Sequence, residues 1–191
     1  MIPQNNTTME SELLAWLPAG SMVRTIRIPR GKGLLTPETL PPYRAAAIDL
    51  ARGFASPDID VIAYGCTAAG FISGPAGDRA LAAELAQVSG KPVVTTARSM
   101  VEALVAERAR SIALVTPYTD AVNAQLQVFL TEAGIGVKSL ASLGAADVEA
   151  LGRIESPEVA ALARKTMRPD CDALFIACSQ LPTAAILGDL A

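Results

Sequence analysis

The sequence predicts an α/β protein of two pseudo-symmetric lobes, each a parallel sheet flanked by helices, with the working site in the cleft between them. Three observations carry this. Short apolar runs alternate with longer amphipathic stretches along the whole chain. The runs are continuous rather than alternating, as in strands buried on both faces of a parallel sheet. One pattern also occurs twice, as Pro57-Asp-Ile-Asp-Val-Ile-Ala-Tyr-Gly-Cys-Thr67 and as Pro169-Asp-Cys-Asp-Ala-Leu-Phe-Ile-Ala-Cys-Ser179. Each copy is a Pro-Asp-x-Asp turn, a buried strand, a cysteine and a hydroxyl residue, so Cys66 and Cys178 hold the same place in two repeats. The lobes are expected at 1–106, carrying Cys66, and 107–191, carrying Cys178.

Taken in order, Asn6, Thr7 and Thr8 followed by Glu10 start a helix that runs through Leu13, Leu14 and Leu17. Pro3 aligns with Pro117, so the strand leading the first repeat is either very short or entered part-way. Met22 to Ile28 alternates and reads as a strand, and Arg30 to Thr36 as a loop. Thr36-Pro37-Glu38 opens a helix that continues from Leu40 to Phe54. The first cysteine strand, Val61 to Gly65, is followed by a Gly70 to Gly77 loop and a helix from Asp78 to Val88. Gly90 to Thr96 reads as a short buried strand whose threonine pair caps a helix from Ala97 to Ala109. The second half repeats the scheme: strand Ile112 to Thr116, helix Asp120 to Ala133, strand Val137 to Leu143, helix Pro157 to Met167, strand Ala173 to Ala177. By repeat logic a helix, a strand and a closing helix should follow, so the second lobe is expected to be short at its C-terminal end.

Composition narrows the function. At 191 residues and 51% hydrophobic content there is ample material for a core. A net charge of −3 without a long Lys/Arg run argues against nucleic acid or an anionic membrane as partner. The nearest basic cluster, Arg24, Arg27, Arg30 and Lys32, reads as a solvated loop. Three cysteines without disulfide spacing, a signal peptide or a membrane-length apolar run point to a reducing cytoplasm. Cys171 sits where the first copy has Ile59 and reads as packing. There is no histidine, which removes Ser-His-Asp and Cys-His mechanisms and makes an ordinary zinc site unfavourable. No Walker sequence or dinucleotide fingerprint follows a strand. The chemistry is expected to need no metal and no cofactor.

In parallel sheets ligands bind past the carboxyl ends of strands, where Cys66 and Cys178 would face each other across the cleft. A single free cysteine is ordinarily small, buried and inert. A symmetric pair, each followed by a hydroxyl residue, favours function. Asn6, Thr67 and Ser179 could equally be caps, and Tyr118 could be packing.

Asn6-Thr7, Cys66-Thr67, the run Thr116-Pro-Tyr-Thr-Asp-Ala-Val-Asn123 and Cys178-Ser179 together resemble the aspartate/glutamate racemase superfamily, in the branch of maleate cis-trans isomerase and arylmalonate decarboxylase. That resemblance implies a small carboxylate or dicarboxylate substrate, no cofactor, and Cys66 and Cys178 as catalytic thiols on opposite faces of the reacting carbon. It also implies Asn6, Thr67, Ala68, Tyr118 and Ser179 as substrate-binding residues, and a homodimer. Cys66 matches the isomerase side, since the decarboxylases resemble this chain but carry glycine there. Ser142 to Ile154 looks more like the decarboxylase, with Val148 where isomerases usually carry a carboxylate-holding asparagine.

The expected activity is therefore cofactor-independent isomerisation or racemisation. Decarboxylation with Cys178 as proton donor is the alternative, and a non-catalytic carboxylate binder is a second. Helix N-termini behind both cysteines are expected to favour their thiolates.

Overall fold

In the computed structural model, which describes residues 1–190, seven short parallel strands form three sheets. Two are pairs: β1 (Ile2–Pro3) with β2 (Arg27–Ile28), and β3 (Ile62–Tyr64) with β4 (Val93–Thr95). The Gly65 N–H donates to the Met1 carbonyl at 2.7 Å, which sets β1 beside β3. The three-stranded sheet has the order β6-β5-β7, built from β5 (Ser111–Thr116), β6 (Gly136–Ser142) and β7 (Ala173–Ile176). The central strand β5 is almost wholly buried, as its unbroken Ile-Ala-Leu-Val run requires. β7 lies at an edge and is half-buried throughout.

The helices follow the sequence pattern with shifts of a few residues. They are α1 (Met9–Trp16), α2 (Leu40–Ala51), α3 (Thr67–Ile72), α4 (Gly74–Ser89), α5 (Thr96–Ala106), α6 (Asp120–Glu132), α7 (Val148–Gly152), α8 (Ser156–Thr166) and α9 (Leu187–Leu190). Thr95 caps α5 as expected, its side chain accepting from the Arg98 N–H at 3.1 Å. Leu104, Ile112, Leu114, Leu126 and Leu130 form one core around β5, α5 and α6. Ile28, Tyr43, Ile62, Leu81 and Leu85 form another around β3, α2 and α4.

Four sequence expectations change. Residues 70–77 belong to two helices joined at Ser73 rather than to a loop; Gly70 answers to packing, since a Cβ there would lie 2.6 Å from Asp78 Oδ1, and Gly74 supplies a φ of +69° at the junction. The strand expected from Met22 shrinks to Arg27–Ile28, because only those residues meet a partner strand. The helix expected from Thr36 starts at Leu40, with residues 36–39 closed into a hydrogen-bonded turn through Thr36 and Thr39. The short helices α7 and α9 lie in stretches too brief to show a 3.6-residue period. Among the described residues no helix is long and apolar enough to cross a membrane.

Candidate active site

Cys66 follows β3 with extended backbone (φ −121°) and is the N-cap residue of α3. Its thiol is buried. Cys178 follows β7 quite differently. The Ala177 N–H still donates to the Val115 carbonyl at 2.8 Å, and the chain then bends through φ +118° at Cys178. A β-carbon there is strained by roughly 1–3 kcal/mol. No helix follows. The chain instead makes a turn in which the Leu181 N–H donates to the Cys178 carbonyl at 3.1 Å, and Pro182 next has no N–H to give. The expected helix N-terminus behind Cys178 is thus absent, and the one behind Cys66 belongs to a helix of only six residues.

All seven residues expected at the site line one small cavity, of about 40 Å³. Asn6 is both a cap and a member of the site. Its Oδ1 accepts from the Thr8 and Met9 N–H groups at 3.0 and 2.9 Å, closing the turn into α1. Its Nδ2 donates to Ser179 Oγ at 3.1 Å, and Ser179 donates onward to the Gly65 carbonyl at 2.9 Å. This chain of bonds ties the end of β1 to the strand ends that carry the two cysteines. Gln180 reinforces it, accepting from the Thr7 N–H and donating to Thr7 Oγ1, both at 2.9 Å.

The Thr116-to-Asn123 motif explains the placement of Tyr118. Thr116 Oγ1 accepts from the Tyr118 N–H at 3.2 Å and donates to Asn123 Oδ1 at 2.6 Å, and Asn123 Nδ2 donates to the Tyr118 carbonyl at 3.1 Å. All three residues are buried, so each of these polar groups needs its partner. The ring is also held edge-on to Phe71, with centroids 5.4 Å apart. Its hydroxyl stands beside the Cys178 thiol.

Two site residues escaped the sequence reading. Tyr43, on α2, places its hydroxyl beside the Cys66 thiol, so each cysteine has a tyrosine neighbour. That hydroxyl is buried and makes no hydrogen bond of regular geometry. Nothing in its helical spacing distinguishes Tyr43 from an ordinary core residue. Arg30, read as part of a solvated loop, also lines the cavity and is the one charged side chain among the described residues that do.

Burial pushes both thiols above the ordinary cysteine range, which reverses the expectation that helix N-termini would lower them. Opposing contributions are smaller. For Cys66 they are the Ala69 N–H, the Tyr43 hydroxyl and the positive charge of Arg30. For Cys178 they are the N–H groups of Gln180 and Leu181 and the Tyr118 hydroxyl, while Cys66 itself works against ionisation. A single negative charge shared between the thiols is therefore favoured over two. Cys171 is half-buried and takes no part in the site.

The family model described as arylmalonate decarboxylase matches residues 36–191. The arylmalonate decarboxylase of Bordetella bronchiseptica is 30% identical over 155 residues, covering 80% of this chain, and the chain spans 65% of that protein's length. The maleate isomerase of Nocardia farcinica (strain IFM 10152) is 28% identical over 195 residues, covering 98% of this chain and 78% of that protein. A cysteine-to-serine mutant of the Nocardia farcinica maleate cis-trans isomerase, solved with a covalently bound succinylcysteine intermediate, shares the fold with a TM-score of 0.85. It is 27% identical and covers 95% of this chain and 78% of that one.

Proposed function

The chain belongs to the arylmalonate decarboxylase family, and from that premise we propose that it is a cofactor-independent isomerase of a small unsaturated dicarboxylate, using Cys66 and Cys178 as an opposed pair. One observation carries the reading: two thiols from repeat-equivalent strand ends, Cys66 buried and Cys178 half-buried, line one cavity, each beside a tyrosine hydroxyl. The covalent succinylcysteine held by the Nocardia farcinica isomerase supports it, since that adduct is what a thiol forms on adding to a butenedioate.

The charge balance follows from the geometry. Cys66 lies near the one cation of the site, so the single thiolate is placed there at the start. Its sulfur bonds to one alkene carbon as Cys178 gives its proton to the neighbouring carbon, leaving a thioether and a Cys178 thiolate. The former double bond is now single and rotates. Cys178 then recovers the proton as the C–S bond breaks and the charge returns to Cys66. The charge passes from the Tyr43 side to the Tyr118 side and back, with a hydroxyl beside each sulfur to stabilise it. Asn6, Thr67 and Ser179 present amide and hydroxyl groups for a carboxylate that must stay put while the bond turns. Racemisation would use the same pair, with one thiolate removing an α-proton and the other thiol returning one.

A specific observation favours a second reading. Leu34, Leu35, Val148 and Leu151 give the cavity an apolar wall, and a carboxylate pressed against such a wall is destabilised toward loss as carbon dioxide. Cys178 would then protonate the resulting enediolate. The experiment is proton NMR in D2O with maleate, a 2-arylpropionate and an arylmalonate, on the wild type and the Cys66→Ala and Cys178→Ala variants. Isomerisation of maleate lost in both variants is the expected result. Turnover of the arylmalonate that survives Cys66→Ala would overturn the isomerase in favour of the decarboxylase.

A further inference from the structure

Arg30 is set apart from the other arginines of this chain by its place in the thiol cavity and by a buried guanidinium nitrogen without a partner. Like several surface arginines, it is in none of the ion pairs among the described residues. Its one hydrogen bond runs from Nη2 to the Gly33 carbonyl at 2.9 Å and holds the plane of the guanidinium. Its Nε is buried and has no partner. A buried donor left unsatisfied is costly, and a buried cationic donor more so, which makes this a group suited to an anionic ligand.

Its position is as informative as its missing partner. Arg30, Leu34 and Leu35 line both the thiol cavity and a second cavity of about 470 Å³ on the other side of the 29–35 loop. The loop is therefore the partition between the two, tied down where the Val148 N–H donates to the Lys32 carbonyl at 3.1 Å. The charge of Arg30 reaches across to favour ionisation of Cys66, Tyr43 and Tyr118, so it is felt by groups flanking both thiols.

We propose that Arg30 is the specificity-determining residue of the site, its guanidinium receiving a second substrate carboxylate while the uncharged set of Asn6, Thr67 and Ser179 receives the first. This rests on the isomerase reading and deepens it. A planar guanidinium matches a carboxylate with two parallel hydrogen bonds, a fit that a lone ammonium does not reproduce. It also bears on the choice of reaction. A carboxylate paired with Arg30 is stabilised in the ground state, and losing it as carbon dioxide would sacrifice that pairing in the transition state. Retention of both carboxylates, as in cis-trans isomerisation, keeps it.

The test compares alkylation of the full chain by iodoacetate and by iodoacetamide, read thiol by thiol by peptide mass spectrometry. In both reactions a thiolate sulfur bonds to the CH2 carbon and iodide leaves with the C–I electron pair, but only iodoacetate carries a carboxylate. The ratio of the two rates cancels any change in thiol ionisation. Cys171, outside the cavity, is the internal reference. The expected ratio at Cys66 or Cys178 is about tenfold above that at Cys171, the size of one carboxylate–guanidinium contact. Arg30→Gln should bring it down to the Cys171 value, and Arg30→Lys should leave it between. An unchanged ratio in Arg30→Gln overturns the proposal, as does a wild-type ratio no higher than that of Cys171, which needs no variant to fold. Resistance of both thiols to both reagents overturns it too, since the site would then admit no carboxylate. Maleate turnover is scored separately: no turnover with the expected ratios refutes the isomerase reading alone, and turnover with flat ratios refutes Arg30 alone.

Discussion

Replacing Asn6 by alanine removes three hydrogen bonds from a side chain that is 3% exposed. Two close the turn into α1 and the third reaches Ser179. At about 1 kcal/mol for each bond the loss is about 3 kcal/mol. For a domain of this size that lowers the melting temperature by roughly 6–12 °C. Asn6→Ser separates the two roles. A serine hydroxyl still accepts from the N–H groups of the turn, as serine does at N-caps generally, but it is too short to donate to Ser179. It should lose only about 1 kcal/mol, or roughly 2–4 °C. Activity should behave otherwise. Both variants lack the amide donor that faces the cavity, and a hydrogen bond to a charged carboxylate is worth about 1.5–3 kcal/mol, so kcat/KM should fall at least about tenfold in each. Thermal melts followed by circular dichroism, with NMR turnover of maleate, read the two effects apart. If Asn6→Ser regains full activity, Asn6 is only a turn-closing residue; if it melts as low as Asn6→Ala, the hydrogen-bond reasoning for the turn is wrong.

Three further outcomes follow from the same geometry. Tyr118→Phe keeps the edge-on contact with Phe71 and loses only the hydroxyl beside Cys178. Its melting point should stay within about 4 °C while kcat falls ten- to a hundredfold, and an unchanged kcat would remove the hydroxyl from the mechanism. At Cys178, whose φ is +118°, glycine fits the backbone and alanine does not. Cys178→Gly should therefore be more stable than Cys178→Ala by about 1 kcal/mol in urea unfolding, and the reverse order would deny the strain. Burial raises both thiols above their ordinary value of 9.0, so the folded state keeps its protons to higher pH than the unfolded state does. Stability from this source is complete below that value and is lost as pH rises above it. The melting temperature should fall on the alkaline side of 9.0, and less steeply in a Cys66→Ala/Cys178→Ala double variant; equal slopes would refute it.

Much of the fold and of the site was legible in the residues themselves, for reasons that are local. Buried parallel strands need unbroken apolar runs, and the run from Ile112 to Val115 could hardly be anything else. The duplicated turn, strand and cysteine make Cys66 and Cys178 equivalent in the sequence itself, because duplication preserves place in a fold. The residues expected from Asn6 to Ser179 all reach one cavity. Residues 70–77 differ from the loop their glycines suggest, because the same residue type serves a loop and a close helix contact, and only the close approach of Ala97 and Asp78 to a Cβ on Gly70 tells them apart.

What tertiary structure decided is what depends on groups far apart in the chain. Duplication implied alike surroundings for the cysteines, yet one leads into a helix while the other bends through a strained backbone into a turn where Gln180 is bound to Thr7 across the chain. The thiols titrate upward because the fold withdraws them from solvent, Cys66 fully and Cys178 in part, and burial is a property of the whole fold. Tyr43 and Arg30 joined the site for the same reason. On the sequence one was a helix-face aromatic and the other a loop cation, and each takes its meaning from the neighbour the fold sets beside it: Cys66 for the tyrosine, and for the arginine a cavity in which it is the only charge among the described lining residues.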